Sequence, residues 1–521
     1  MNAETVSGES RCICFPVCPG DTDSVNWEGE SAMLNIVFIL SDDQGAWAMG
    51  CAGNREICTP NLDRLAREGL RFTNFFCASP VCSPARASLL TGRMPSAHGV
   101  HDWIRSGNVD AVRFAEAGRE NPYGGYADEG EPIAYLEGIP TYTEMLRDAG
   151  YVCALSGKWH LGDSVRPRHG FESWYTIGKG GCFYNHPDIV ENGTITVRHG
   201  AYVTDLITQR ACEDIDRLSE GGRPFYLSVH YTAPHSPWEK EQHPGKWIEY
   251  YDKCPFESVP DEPDDPDMVT GPVHGTPRRH ENLRGYFAAV SAMDEGVGRI
   301  LRKLEERGIL EKTLVIFTSD NGMNMGHHGI WGKGNGTFPF NMYDTSVKVP
   351  FLLRCPELVA QPGTAVDAMV SACDLFPTLA ELTGGVCPEN LPGVSFLRTL
   401  RGEAGRDEVF IVDEYGPVRM LRTREWKYVH RYPYGPHALY DLVADPGETR
   451  NVVSDPENSA RVVRMRRRLE EYFQTWADPR LDGSREGVTG SGQMCRAGLF
   501  ATRPDVYGPV PVTFREMDKG K

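Results

Sequence analysis

The sequence predicts an α/β protein: a large, mostly parallel or mixed central sheet flanked by helices, with a smaller C-terminal antiparallel sheet plus helix. Three observations predict it. Short, continuous apolar runs alternate with segments of helical spacing over most of the chain, as expected for strands covered on both faces. After Gly393 the pattern shifts to short strands separated by turn residues. At 521 residues the chain exceeds what one compact core holds, so a large domain and a smaller one are expected.

The first strand is Asn35–Leu40 (NIVFIL), an unbroken apolar run. Asn61–Glu68 reads as a helix opened by Pro60, and Thr141–Ala149 as a second, stopped by Gly150. Tyr151–Leu155, Phe225–Val229 and Leu314–Phe317 are further strands, with a long helix from about 282 to 306 before the last of them. Ala372–Leu382 is helical again. In the C-terminal part, Val409–Val412, Arg419–Leu421 and Lys427–His430 read as strands and Arg461–Phe473 as an amphipathic helix. The organisation expected is a disordered tail over 1–32, the α/β domain over 33–393, the small subdomain over 394–478, and a Gly-rich tail over 479–521. That last tail either wraps the domain or meets a partner, a second copy of the chain included. Met33 stands immediately before the first strand and is an alternative start. Residues 100–140 and 255–280, rich in Gly, Pro and charge, are long for plain connections and are expected to shape a binding site.

Apolar and charged contents of 40% and 24% are ordinary for a soluble globular protein. A formal net charge of −18 argues against nucleic acid or an anionic membrane as partner. An anionic substrate then needs a locally positive pocket inside an acidic shell. No stretch has the apolar length of a membrane-spanning helix, and the N-terminus does not read as a signal peptide. Fifteen cysteines, an odd number without framework spacing, fit a reducing cytoplasm, where the protein is expected. Cys12, Cys14 and Cys18 cluster, but no histidine precedes His98 and no fourth cysteine precedes Cys51, so a tail outranks a metal knuckle.

Ligands bind beyond the carboxyl ends of strands in open α/β sheets, and each major strand here runs into polar chemistry. The first leads into Asp42-Asp43, and Leu314–Phe317 into Asp320-Asn321-Gly322. Tyr151–Leu155 leads into Gly157-Lys158-Trp159-His160-Leu161-Gly162, and Phe225–Val229 into His230 and then Pro234-His235. Singly, Asp-Asp is a common helix cap and Asp-Asn-Gly a commonplace turn; four such coincidences outweigh that reading. Asp42, Asp43, Asp320 and Asn321 together supply hard oxygen ligands, which favour Ca²⁺ first and Mg²⁺ second. Arg86, Lys158 and Lys333 are cations for the anion, with His160 and His235 as proton donors or acceptors. Lys158 and His160 alternate on an extended segment, which projects both side chains to one side. Lys333 lies in Gly332-Lys333-Gly334; His327 and His328 in the same loop either contact substrate or form a turn. Finally, Cys82-Ser83-Pro84-Ala85-Arg86 sets a thiol at a helix start, where the dipole favours an anion.

With its continuation Ala87-Ser88-Leu89-Leu90-Thr91-Gly92, that segment resembles the signature of the type I sulfatases of the alkaline-phosphatase superfamily. The resemblance runs from Asn35 to about Leu382 through Ser41-Asp42-Asp43-Gln44, Thr59-Pro60-Asn61-Leu62-Asp63, Gly157 to Gly162, Ala233-Pro234-His235 and Ser319-Asp320-Asn321-Gly322. Ala438-Leu439-Tyr440-Asp441-Leu442, followed by Asp445-Pro446 and Glu448, is similar to the family's second subdomain. The resemblance implies that Cys82 is oxidised to formylglycine by a formylglycine-generating enzyme, and that its hydrated aldehyde is the nucleophile. It implies metal held by Asp42, Asp43, Asp320 and Asn321 with position 82 beside them. Arg86 would steady the hydrate, Lys158, Lys333 and His235 would bind sulfate and assist the leaving oxygen, and His160 would assist breakdown of the sulfated intermediate. A plain serine ester would resist hydrolysis, whereas a geminal diol keeps a second hydroxyl whose deprotonation re-forms the aldehyde and expels sulfate. In Tyr343–Pro350 the chain departs from many relatives, with Asp344 and Lys348 where they carry Glu and Arg.

Three functions follow as expectations. The first is a sulfuric ester hydrolase acting on a sulfated small molecule or saccharide; the second a phosphonate or phosphate ester hydrolase of the same superfamily. The third is a non-catalytic relative that keeps an unmodified Cys82. For a sugar, Trp103, His101, Tyr184, Asn185, His186 and Trp331 are lining candidates, with loop packing the equal alternative.

Overall fold

The apolar run at the head of the chain is continuous because both of its faces are covered. In β1 (Asn35–Ser41), Ile36, Phe38 and Leu40 point into one core while Val37 and Ile39 point into another. All five are at most 1% exposed, each burial contributing about 1.5–3 kcal/mol. Helix α1 (Pro60–Glu68) begins where Asp294 accepts the Asn61 and Leu62 amides, the capping service its own Thr59 does not perform. The remaining strands of the first half are β2 (Leu70–Phe76), β3 (Val152–Gly157), β4 (Phe171–Ile177), β5 (Asp188–Glu191), β6 (Thr194–Val197) and β7 (Phe225–His230). Between them lie α2 (Cys82–Thr91), α3 (Tyr142–Asp148), closed by a Thr141–Glu144 capping box, and α4 (Val203–Ser219). Helix α5 (Pro277–Glu306) precedes β8 (Thr313–Ser319), the short pair β9 (Asn324–Met325) and β10 (Trp331–Gly332), then β11 (Phe351–Arg354), β12 (Thr364–Ser371) and α6 (Leu375–Thr383).

The computed structural model describes residues 33–110, 128–413 and 418–513. The expected N-terminal tail, with Cys12, Cys14 and Cys18, lies outside the described residues, as do 111–127 of the long loop and 514–521. Ten strands form one sheet in the order β12-β2-β11-β8-β1-β7-β3-β4-β5-β6. Its centre, β8-β1-β7-β3-β4, is parallel throughout; β11 and β5 run opposite to it at the flanks, and β6 pairs antiparallel with β5. The register is level at one edge, with Ser41 opposite Ser319, Leu40 opposite His230, and His230 opposite Gly157. Four neighbouring strands therefore release their next residues at the same height.

The small sheet is β13 (Glu408–Asp413), β14 (Val418–Thr423), β15 (Trp426–Arg431) and β16 (Ala438–Asp441), antiparallel in that order. Its strands alternate: Phe410, Val412, Leu421 and Tyr428 pack on α7 (Ser459–Trp476) through Leu469 and Phe473, while Val409, Ile411, Met420 and Val429 join the main core. Beyond it, the Gln493 side chain accepts the His101 and Asp102 amides and donates to Gly99 and Cys495 carbonyls, stapling residues 99–105. Among the described residues no helix is long and apolar enough to cross a membrane.

Candidate active site

The level strand ends bring the expected residues together. Asp42 and Asp43 follow β1, and Asp320 and Asn321 follow β8 beside it; the Asp43 amide donates to Asp320 Oδ1 at 3.1 Å. Asp43 takes φ 60° and His160 φ 55°, left-handed conformations that cost a side-chain-bearing residue about 1–2 kcal/mol. Helix α2 enters from the other side with Val81 extended as its N-cap, and every residue from Cys82 to Thr91 is buried. At the end of β3, Gly157 has φ +116°, and a Cβ there would stand 1.9 Å from the His230 carbonyl oxygen. That close approach lets the Lys158 amide donate to the same carbonyl at 2.8 Å and aims the lysine inward.

Around Cys82 the distances are short. Its thiol lies 3.5 Å from Asp42 Oδ1 and 3.7 Å from Asp43 Oδ1, and Lys333 Nζ stands 2.6 Å away. Lys333 Nζ also donates to Asp43 Oδ1 at 2.5 Å, and Lys158 Nζ pairs with Asp42 Oδ2. Arg86 donates from Nε to Asp320 Oδ2 at 2.9 Å and lies 3.7 Å from Asp42. His235 Nε2 is 3.7 Å from Asp43 Oδ2. Ligand atoms of Asp42, Asp43, Cys82 and His235 all lie within 4.8 Å of one another, a spacing that suits one metal ion. Asn321 beside this group adds an oxygen suited to a hard cation: its Nδ2 donates to Asp43, and its buried Oδ1 has no hydrogen-bond partner.

Electrostatics separate the three carboxylates. Burial raises Asp42 and Asp43, but their cationic neighbours together, led by Lys158 for the first and Lys333 for the second with His235 beside both, outweigh it and hold both below the usual carboxylate range. Burial and the neighbouring Asp42 charge win at Asp320, which is raised despite Arg86. Burial pushes the Cys82 thiol well up, with Asp42 adding to it, so the sulfur itself is a poor thiolate. Lys333 is raised, because Asp43 and its neighbours outweigh its burial, while burial lowers His235 and His160.

One expectation needs correcting. Residues 158–160 are not one extended segment that sends two side chains the same way. Strand β3 ends at Gly157, and the left-handed turn at His160 carries its ring to the Ile104 carbonyl at 3.0 Å while Lys158 goes to Asp42. Of the candidate sugar contacts, His101, Tyr184 and Trp331 are buried in packing; Asn185 donates to the Glu241 carbonyl, and the His186 ring lies tilted against His199. His328 forms a left-handed turn and stacks on Tyr343 at 3.7 Å between ring centres. His230, read only as a strand end, turns out to support the site: its Nδ1 lies 3.1 Å from the Lys158 carbonyl, which Arg86 Nη1 also holds at 3.1 Å.

A sulfatase family model matches residues 34–386, and a model described as N-sulphoglucosamine sulphohydrolase, C-terminal, matches 326–475. The chain is 29% identical over 463 residues to an ulvan-active sulfatase of Formosa agariphila, covering 84% of this chain and 81% of that protein. It is 26% identical to an N-acetylglucosamine-6-O-sulfatase of Bacteroides thetaiotaomicron, over 86% of this chain and 88% of the other. A solved complex with D-glucosamine-2-N,6-O-disulfate as substrate superposes with a TM-score of 0.70 at 24% identity, covering 87% of this chain and all of that one.

Proposed function

The chain belongs to the sulfatase family of sulfuric ester hydrolases, and from that premise we propose that it cleaves a carbohydrate sulfate monoester at position 82. The observation that carries this reading is the setting of Cys82 between two carboxylates and the Lys333 ammonium at the level ends of β1 and β8. Relatives named for glycan sulfates support the carbohydrate.

We assign Cys82 as the residue that a formylglycine-generating enzyme oxidises to an aldehyde. Its hydrate supplies one hydroxyl to attack sulfur and a second whose deprotonation frees the sulfate. Asp42, Asp43, Asp320 and Asn321 would hold a divalent cation, calcium by preference for an all-oxygen set, which supplies positive charge to the sulfate oxygens. The rest is the work of this chain's side chains. Arg86 and Lys158, with side chains 2% and 0% exposed, lie beneath and balance the carboxylates. His235 and Lys333 keep 24% and 12% of their side chains exposed, so they face the mouth through which a sugar leaves. Protonation of the departing oxygen therefore falls to these two. To His160, held on the Ile104 carbonyl, we assign the proton transfer at position 82 when the ester breaks down.

Protein whose Cys82 peptide carries the aldehyde by mass analysis is assayed side by side on 4-nitrophenyl sulfate and 4-nitrophenyl phosphate, then on sulfated sugars position by position. Faster sulfate release supports the reading. Faster phosphate turnover replaces it with a phosphoester hydrolase, and an unmodified thiol in protein from its native host defeats both.

A further inference from the structure

Lys333 is a long, flexible side chain in a loop of Gly332-Lys333-Gly334, where nothing in the sequence says what aims it. The structure supplies a buried hydrogen-bond device. Asn341 Nδ2 donates to the Lys333 carbonyl at 2.9 Å and to the Gly334 carbonyl at 3.1 Å. Asn324 Nδ2 donates to the Gly332 carbonyl at 2.9 Å. The two amides thus grip the backbone before, at and after the lysine. They are joined by one hydroxyl: Ser346 Oγ donates to Asn341 Oδ1 at 2.6 Å and accepts from Asn324 Nδ2 at 2.6 Å. Thr345 Oγ1 donates to Asn324 Oδ1, completing that amide. Asn324, Asn341 and Ser346 are each at most 4% exposed, so none of these bonds competes with water.

Ser346 sits on the short helix Asp344–Val347, and that helix is tied to the small sheet. Asp344 faces three cations, Lys427 on β15 at 2.6 Å, Lys348 at 3.0 Å and Arg422 on β14 at 3.3 Å; its amide donates to Glu448 at 2.6 Å. Neither asparagine reaches position 82 or the carboxylates. We infer that Asn324, Asn341 and Ser346 are positioning residues that act through Lys333, holding its ammonium against Asp43 and position 82 from an anchor in the C-terminal sheet. The inference rests on the reading of Lys333 as a proton donor to the leaving oxygen. It assigns to this chain's Tyr343–Pro350 segment a task in catalysis beyond packing.

The test compares phenyl sulfate with 4-nitrophenyl sulfate, which differ in how much the departing oxygen needs a proton. Lys333→Ala, Asn341→Asp, Ser346→Ala and the two doubles with Lys333→Ala are measured as aldehyde-bearing protein, with melting temperatures recorded. Asn341→Asp keeps size and the Ser346 acceptor but loses both donors. It is expected to lower kcat/KM about 100-fold on phenyl sulfate and only about tenfold on 4-nitrophenyl sulfate. Ser346→Ala, which unhooks both amides more gently, shows the same ordering at smaller amplitude and serves if Asn341→Asp does not fold. On top of Lys333→Ala, either substitution costs less than about threefold further, because its route of action is already gone. Equal losses on the two esters, or a full second loss in the Lys333→Ala background, overturn the inference. If Lys333→Ala itself slows both esters equally, the proton-donor reading fails instead, and the doubles still judge the clamp.

Discussion

Cys82 shows what a single residue does and does not reveal. Its neighbours Pro84 and Arg86 mark it in the sequence, yet its buried thiol has a pKa pushed up by desolvation and by Asp42, the opposite of a working thiolate. Cys82→Ala is expected to lower sulfate release by at least about 10⁴-fold while the melting temperature holds, measured by ion chromatography and calorimetry. Asn321 offers a cleaner probe of the metal, since its buried Oδ1 has no hydrogen-bond partner. Calcium added to chelator-treated protein should raise its melting temperature, and Asn321→Ala should weaken the calcium affinity behind that rise by about 10–100-fold. The carboxylates and Lys158 were legible because charged side chains at strand ends stand out against apolar runs, and Arg86 and Lys333 through the Cys82-to-Arg86 segment and the Gly332-Lys333-Gly334 loop. The turn at His160 was not, since φ 55° leaves no mark in a residue name. Nor were Asn324, Asn341 and Ser346, whose partners are backbone carbonyls and one another's side chains, brought together only by the fold.

Strands of the parallel centre were the readable ones. β1, β3, β7 and β8 are buried on both faces and are built on short, mainly apolar runs. β2, β4, β6 and β12 escaped notice because Arg71, Asn74, Glu172, Thr194 and Asp367 interrupt their apolar pattern, and β5 and β11 because each is only four residues long. Gly157 is the element-scale hinge of the site, the place where β3 comes within reach of β7 before Lys158 turns in. Gly157→Ala is expected to cost about 2–4 kcal/mol of stability and to lower activity with it, because the clash is with backbone and no rotamer relieves it. Denaturant titration with a parallel kcat/KM measurement checks both; a neutral result would mean that β3 and β7 separate freely.

Across the whole molecule, several histidines are sealed in neutral form. Burial lowers His101 and His243 to about 4, well under the value each has in an unfolded chain. Folding therefore excludes protons that the unfolded chain binds, so their contribution is complete above pH 6.5 and is lost as the pH falls toward 4. Each such group weakens the fold by up to roughly 3 kcal/mol over that window. Urea midpoints measured at pH 7, 5.5 and 4.5 should fall in that order, and His243→Gln should flatten the slope. A midpoint that rises on acidification contradicts this accounting. Such coupling across distant segments, like the Gln493 staple on residues 99–105 or the Lys427–Asp344 bridge, has no signature in local sequence and became visible only in three dimensions.

The complete burial of Cys82–Thr91 also sets a clock. The maturation proposed for Cys82 requires the oxidising enzyme to reach this stretch before it is buried. The roughly 410 residues that separate Cys82 from Gln493, made at about 5–20 per second, leave roughly 20–80 s before the last staple closes. A peptide spanning residues 79–95 should be converted readily by the maturation enzyme, and folded thiol-bearing protein should emerge from the same incubation with its mass unchanged. On the proposed maturation, the time before this stretch folds is part of what makes the chain active.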